Sequence, residues 1–128
     1  MNAPIFVFGS NLAGRHGAGA ALWARQHRGA IYGQGEGLQG CSYGIATKDG
    51  TLKTRTLSAI YRSVRTFIDF ARSRPDLTFQ ITPIGCGLAG YRHEDIAPMF
   101  RDAPENCTLP DEFKAVLSGR AALKLGGE

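Results

Sequence analysis

Ile81-Thr82-Pro83-Ile84-Gly85-Cys86-Gly87-Leu88-Ala89-Gly90-Tyr91 is the stretch on which the reading of this chain rests. A buried strand over 78–84 runs into a turn with three glycines, then into a short helix opened by His93-Glu94-Asp95. A strand that breaks into a glycine loop at a helix mouth presents free backbone N–H groups, which favour an anion. Glycine suits such a loop because a Cβ would hold the backbone off a ligand, and because positive φ costs it nothing. The same residues would also make a plain αL turn, and one loop does not separate the two readings. A second loop of the same kind, Gly9-Ser10-Asn11-Leu12-Ala13-Gly14-Arg15-His16-Gly17-Ala18-Gly19, follows the apolar run Ile5-Phe6-Val7-Phe8 and precedes a helix. Two such loops imply one ligand gripped from both sides.

The rest of the chain supplies the frame. Its 128 residues make one domain over 1–117, with a loosely ordered tail expected over 118–128. A chain of this length buries about two-thirds of its unfolded surface. Ile5-Phe6-Val7-Phe8 reads as a strand buried on both faces. Residues 18–27 read as a helix whose small Ala20 and Ala21 allow close packing on a sheet, with Gly29 ending it. Ala30-Ile31-Tyr32 reads as a short strand, 33–40 as a glycine-rich loop, and 41–47 as a strand closed by the turn Lys48-Asp49-Gly50. Over 56–73, Leu57, Ile60, Tyr61, Val64, Phe67, Ile68 and Ala71 keep the 3/4 spacing of one helix face, an apolar stripe for the core. A central strand follows over 76–84. Ile96, Met99 and Phe100 mark the buried side of a short helix, and Leu109-Pro110-Asp111-Glu112 opens another with proline early and acids in the first turn. Alternating strands and helices mean a layered α/β domain, whose ligand sites lie at the strand carboxyl ends. Both glycine loops lie there.

Composition narrows the function classes. Cys41, Cys86 and Cys107 are odd in number without C-x-x-C spacing, which argues against zinc ribbons and disulfide frameworks. No metal and no cofactor is expected. No apolar run approaches a membrane span and no leader is expected ahead of Ile5, so the expected location is the cytoplasm, with no membrane partner. A net charge of +4 suits an anionic partner and says little more.

Taken in order, Phe8-Gly9-Ser10-Asn11, Arg15-His16-Gly17-Ala18-Gly19-Ala20-Ala21, Thr47-Lys48 and Pro83-Ile84-Gly85-Cys86-Gly87-Leu88 resemble the macro domain, the ADP-ribose-binding α/β/α module. The likeness covers roughly residues 5 to 100. It is nearest to the glycohydrolases that release terminal ADP-ribose from glutamate, whose relatives include antitoxins acting on ADP-ribosylated DNA bases. The resemblance implies a three-layer α/β/α fold with a mixed, mostly parallel sheet. It implies that Asn11 approaches the distal ribose and that Gly14, Gly17, Ala18 and Gly19 face that ribose and the diphosphate. Gly85, Cys86, Gly87 and Leu88, continued by Ala89, Gly90 and Tyr91, would close from the other side. Lys48 matches the lysine proposed to attack the anomeric carbon.

The chain also departs from that branch. Ala89 stands where the hydrolases have an aspartate that helps resolve the lysine adduct. The strand carrying the adenine-reading aspartate is missing or reduced to residues 1–4. His16 and His93 replace apolar residues, and His16, inside the first loop, is a candidate for acid–base work. Cys86, flanked by glycines, is a candidate thiolate with His16 as its base, or simply a residue small enough to fit. The resulting expectation is an ADP-ribosyl hydrolase with Lys48 and His16 as catalytic residues, acting on ADP-ribose attached to a protein or nucleic acid. The alternative is a module that binds ADP-ribose or a related NAD-derived nucleotide without turnover.

Overall fold

Val7 and Phe8 are neighbours in sequence and both fully buried, so the first strand has an apolar layer on each side. A computed structural model describes residues 3–119 of the chain; of the expected tail, 120–128 lie outside the described residues. The elements are β1 (Ile5–Asn11), α1 (Gly19–His27), β2 (Gly37–Gln39), β3 (Ser42–Lys48), α2 (Leu57–Ser73), β4 (Phe79–Ile81), α3 (His93–Ile96) with a 3-10 turn at Ala97–Phe100, β5 (Cys107–Thr108) and α4 (Asp111–Leu117). The sheet order is β2-β3-β1-β4-β5. β1 runs parallel to β3 and β4, and β4 parallel to β5, while β2 alone is antiparallel, to β3. The fold is therefore mixed α/β with a mostly parallel sheet, layered α/β/α. Among the described residues no helix is long and apolar enough to cross a membrane.

The alternation of β1 builds the two layers. Ile5 and Val7 face the larger core with Tyr43, Ile45, Phe79 and Ile81, closed by Ile60, Val64, Phe67, Ile68 and Ala71 of α2. Phe67 sits edge-on to Tyr43 at 4.9 Å and to Phe79 at 5.3 Å, and rings of this size contribute about 2 kcal/mol each when fully buried. On the other face Phe6 and Phe8 pack against Ala21, Ala24 and Ala30, so alanines let α1 lie close to the sheet. Thr56 caps α2, its hydroxyl accepting from Ala59 N at 3.2 Å.

Several expected elements differ. The 30–32 segment is not a strand, and the edge strand lies instead at β2, inside the expected glycine loop. Ile31 and Tyr32 are exposed, whereas Gln39 is 2% exposed and its side-chain oxygen accepts from Ile31 N at 2.8 Å. β2 is too short to cover β3 to its end, and side chains finish the edge. Glu36 Oε2 accepts from Ala46 N at 3.1 Å, and Arg55 Nη1 donates to Ala46 O at 2.8 Å. The expected central strand shrinks to three residues because Pro83 lacks an N–H and 74–77 turns on the Leu77 N to Arg74 O bond. Asn106 Nδ2 lies 3.0 Å from the carbonyls of Ala71, Arg74 and Leu77, covering the end of α2 and setting β5 against β4.

Asp102 ties α2 to the turn after Phe100. Its two oxygens accept from Arg65 at 2.7 Å each, and one also accepts from Arg72 at 3.0 Å. The Arg65 hydrogen bonds, then that of Arg72, hold its carboxyl well below the usual carboxylate range. A depressed folded pKa stabilises the fold fully above the unfolded value of about 3.9 and less as pH falls below it. These side chains are a third to a half exposed and screened by solvent. Asp102→Asn is therefore expected to cost only about 1 kcal/mol at pH 7, by denaturant titration. At about pH 3 the gap between variant and wild type should narrow.

Candidate functional site

A cavity of about 730 Å³ opens at the carboxyl ends of β1, β3 and β4, within the range of small-molecule sites. Its walls come from both glycine loops and from the β3–α2 connection.

The first loop is held from behind. Both ends of the Asn11 carboxamide are engaged with one residue: Nδ2 donates to Arg15 O and Oδ1 accepts from Arg15 N, each at 2.9 Å. Gly14, at φ +70°, donates to Asn11 O and accepts from Gly33 N at 2.9 Å. A Cβ there would lie 2.4 Å from Gln34 N, so the loop needs glycine for both conformation and space. His16 is fully buried, its Nε2 donating to Gln34 O at 2.9 Å with Gln39 Oε1 at 3.2 Å. A carbonyl only accepts, so the proton sits on Nε2, and Nδ1 has no partner among the described residues.

α1 then starts without a cap. Ala18 offers no side-chain hydrogen bond, and the first turn holds no acid. The N–H groups of Gly17, Ala18, Gly19, Ala20 and Ala21 find no acceptor among the described residues. These are the donors a helix start leaves over. All five residues line the cavity.

The second loop presents a matching set. Cys86 N donates to Pro83 O, Gly90 N to Gly87 O and Tyr91 N to Gly85 O at 2.8 Å, which folds the loop and leaves the N–H groups of Gly85, Gly87, Leu88 and Ala89 without acceptors among the described residues. Gly85 has φ +76° and packs its backbone against Ile96. Leu88 is 73% exposed, and its Cδ1 would touch a Cβ at Gly19 at 3.8 Å, so the two loops meet across the cavity there. The loop is anchored to the β3–α2 connection through Thr54 Oγ1 to Ala89 O at 3.0 Å and Tyr91 Oη to Arg55 O at 2.6 Å.

Lys48 reaches the cavity through a slip in the sheet. β1 pairs with β3 in step from Phe6 with Ser42 to Ser10 with Ala46, then shifts, so that Asn11 pairs with Lys48 and Thr47 is extra. Bulges of this kind re-aim side chains beside functional sites. Lys48 forms no ion pair among the described residues. Beyond it, Asp49 Oδ1 accepts from Thr51 N, Thr51 Oγ1 and Lys53 N, clamping a turn in which Leu52 takes φ 67° and joins the cavity wall.

Of the residues singled out from the sequence, Asn11, Gly17, Ala18, Gly19, Lys48, Gly85, Cys86, Gly87, Leu88 and Ala89 line this cavity, and Gly14, His16, Gly90 and Tyr91 do not. The acid–base part expected of His16 does not fit a ring fully buried behind the loop and edge-on to Phe8 at 5.2 Å. Asn11 has a loop to hold with the carboxamide that was expected to meet a ribose. Arg15, Leu52, Thr82, Pro83 and His93 join the wall without having been singled out as site residues. His93 carried a signal, its place at the mouth of a short helix, which the sequence shares with ordinary helix starts. The wall contains Arg15, Lys48 and His93 and no carboxylate.

Cys86 is not an activated thiol. Burial, then the charges of Asp95, Glu112 and Glu94, push its pKa up to about 11, and its Sγ points to Ile84 O at 3.4 Å. Its thiolate fraction near neutral pH is then roughly a hundredfold below that of an ordinary thiol. Alkylation with iodoacetamide at about pH 8, read by peptide mass mapping, should mark the exposed Cys41 first. Cys86 and Cys107, whose pKa burial also raises to about 11, should follow far more slowly. Labelling of Cys86 ahead of Cys41 would restore the thiolate reading. Compared with protein-family models, with curated proteins and with solved structures, the chain finds no match.

Proposed function

We propose that the cavity binds ADP-ribose or a related NAD-derived nucleotide, with the diphosphate between the two glycine loops, and that Lys48 uses it to break an ADP-ribosyl bond at the distal ribose. The observation that carries the reading is the pair of facing amide sets, from Gly17 to Ala21 at the uncapped start of α1 and from Gly85 to Ala89 opposite. Backbone donors without acceptors in two loops that line one space suit a ligand with several anionic oxygens, as a diphosphate has. A wall with Arg15 and Lys48 and without carboxylates supports the same sign of charge. The resemblance to macro domains supplies the distal ribose, and the adenine-reading strand of that family has no counterpart beyond residues 1–4.

In this reading the Lys48 amine, as its free base, attacks the anomeric carbon; the bond to the leaving group breaks and that group takes the electron pair. Water must then release the sugar. One observation favours a second reading, binding without turnover. Ala89 offers no carboxylate to assist the water, its carbonyl accepts from Thr54, and no acid lines the wall in its place.

Gly87 separates ligand from fold. A Cβ at Gly87 meets nothing within 4 Å and its φ is not in the left-handed region, so a larger side chain disturbs only the cavity. Gly87→Phe is expected to keep the wild-type melting temperature within a degree or two and to weaken ADP-ribose binding by about a hundredfold or more in calorimetric titration, the scale of a filled site. No heat from wild type at millimolar ADP-ribose, AMP or NAD would end the ligand assignment.

Lys48→Ala separates binding from chemistry. It should abolish turnover of ADP-ribosylated protein or DNA and leave ADP-ribose affinity within a few-fold, since the amine addresses the anomeric carbon. Intact-protein mass spectrometry should show a discrete mass gain on wild type after incubation with substrate, absent in the variant. Equal turnover by both would make Lys48 a bystander, and no turnover by either would leave the binding reading.

A further inference from the structure

Charge is shared unevenly along this chain. Residues 1–35 hold three arginines and no Asp or Glu, against twelve basic and eleven acidic residues in the remainder, so most of the net +4 belongs to the first 35. Apart from β1, that segment forms α1 and the loops on either side of it. Elsewhere most arginines are engaged with carboxylates, Arg55 with Glu36, Arg65 and Arg72 with Asp102, Arg74 with Asp76 and Arg92 with Asp95, while Arg62 and Arg101 form no ion pair among the described residues. Arg15, Arg25 and Arg28 form no ion pair among the described residues.

Two of these three lie on aromatic rings. The Arg25 guanidinium sits 5.1 Å from the Tyr32 ring centroid, and that of Arg28 sits 4.7 Å from Trp23, which is itself 5.0 Å from His27. Tyr32 is 57% exposed, whereas Trp23, 39% exposed, also lies 4.7 Å from Phe6, so Phe6, His27 and Arg28 surround its ring and Tyr32 is the more open of the two. Trp23 and Arg25, two positions apart, stand on opposite flanks of α1, and the two pairs bracket its outer surface. The Gly33 N to Gly14 O bond seats Tyr32 next to the first loop, where the following residue, Arg15, lines the cavity. The patch thus runs from the outside of α1 to the mouth of the site.

We propose that this α1 face binds single-stranded nucleic acid, with Tyr32 stacking on a base and Arg15, Arg25 and Arg28 holding phosphates beside the partly exposed edge of Trp23. Unpaired cations beside exposed rings are the combination that single strands use, because their bases show a free π-face. A duplex or an acidic peptide would engage the arginines and leave the rings idle. The inference shares Arg15 with the cavity and otherwise stands apart from the nucleotide proposed there, since Trp23, Arg25, Arg28 and Tyr32 do not line it.

The chain contains one tryptophan, so Trp23 fluorescence reports on the patch directly. Oligothymidylate and oligouridylate of about 20 nucleotides, long enough for such a site, should quench it and bind with an affinity that falls steeply from about 50 to 200 mM salt. The better of the two identifies the preferred sugar. Combining Arg25→Glu with Tyr32→Ala should weaken anisotropy-measured binding by about tenfold or more and flatten the salt slope. Arg62→Glu, an exposed reversal on α2, should change it less than about twofold. Calorimetric titration with ADP-ribose should be the same for wild type and the paired variant. Should that variant fold poorly, Arg25→Gln and the wild-type quenching still decide. Absence of quenching and binding at low salt, an equal loss in Arg62→Glu, or equal affinity for polyglutamate would each overturn the proposal.

Discussion

Between Ser10 and Asn11 the pairing of β1 with β3 slips by one residue, and the meeting of the first loop with Lys48 depends on that slip. Side chains alternate along a strand, so a shift of one exchanges the face each residue presents. With the shift, Asn11 comes level with Lys48 and Thr47 is left over, its hydroxyl donating to Ser10 O at 3.3 Å. Paired residues share a face, which sets the residue that closes the first loop beside Lys48, the one lysine of the wall. The next backbone bond, Leu12 N to Lys48 O at 3.0 Å, carries the junction into the loop. Glu36 and Arg55 hold the far edge of β3 through Ala46, one residue before Thr47, so the slip is fixed from both directions.

The loops that leave this junction sacrifice local stability. A Ser, Thr, Asn or Asp at position 18 would satisfy a helix-start donor and stabilise α1 by about 1 kcal/mol over alanine. It would also place an oxygen where the cavity has free N–H groups. The same holds opposite, where folding uses the amides of Cys86, Gly90 and Tyr91 and spares those between them. Donors left over in one loop are an accident of turns; donors left over in two loops that line the same cavity are a feature of that cavity. Local rules broken without local compensation mark the places where function is expected.

How much of this the sequence disclosed follows from the range of the interactions. α2 and the two glycine loops were legible because their signals are local: a 3/4 apolar stripe with Thr56 before it, and glycines where a strand meets a helix. The strands β2 and β5, of three and two residues, have no such signal. They exist because Gln39 bonds Ile31 and Asn106 bonds the end of α2, contacts made across the fold; Ala30-Ile31-Tyr32 had the better strand propensity and lost. His16 shows the same limit in the site. Its chemistry suits catalysis, and only Gln34 and Gln39, 18 and 23 residues away, turn it into a pillar behind the loop. Asn11 lines the cavity, and the partner of its carboxamide, the backbone of Arg15, carries no local signal in the sequence.

Leu52 shows what the Lys48 side of the cavity demands of the fold. Among the described residues it is the one non-glycine residue with positive φ, a conformation costing an L-residue about 1–2 kcal/mol. Nothing in its packing offsets this, for the side chain is 44% exposed. The strain is imposed by Asp49, whose oxygen takes three hydrogen bonds across the turn, with Thr51 the main reason its carboxyl stays below its usual pKa. A glycine at position 52 would relieve the strain and remove the only side chain that the β3–α2 connection beyond Lys48 gives to the wall. A strained, exposed leucine from the β3–α2 connection and a 73% exposed Leu88 from the second glycine loop add two apolar side chains to a wall that also holds Arg15, Lys48 and His93. The strain of Leu52 is held in place by the Asp49 turn, and among the described residues both leucines stay exposed where they line the cavity.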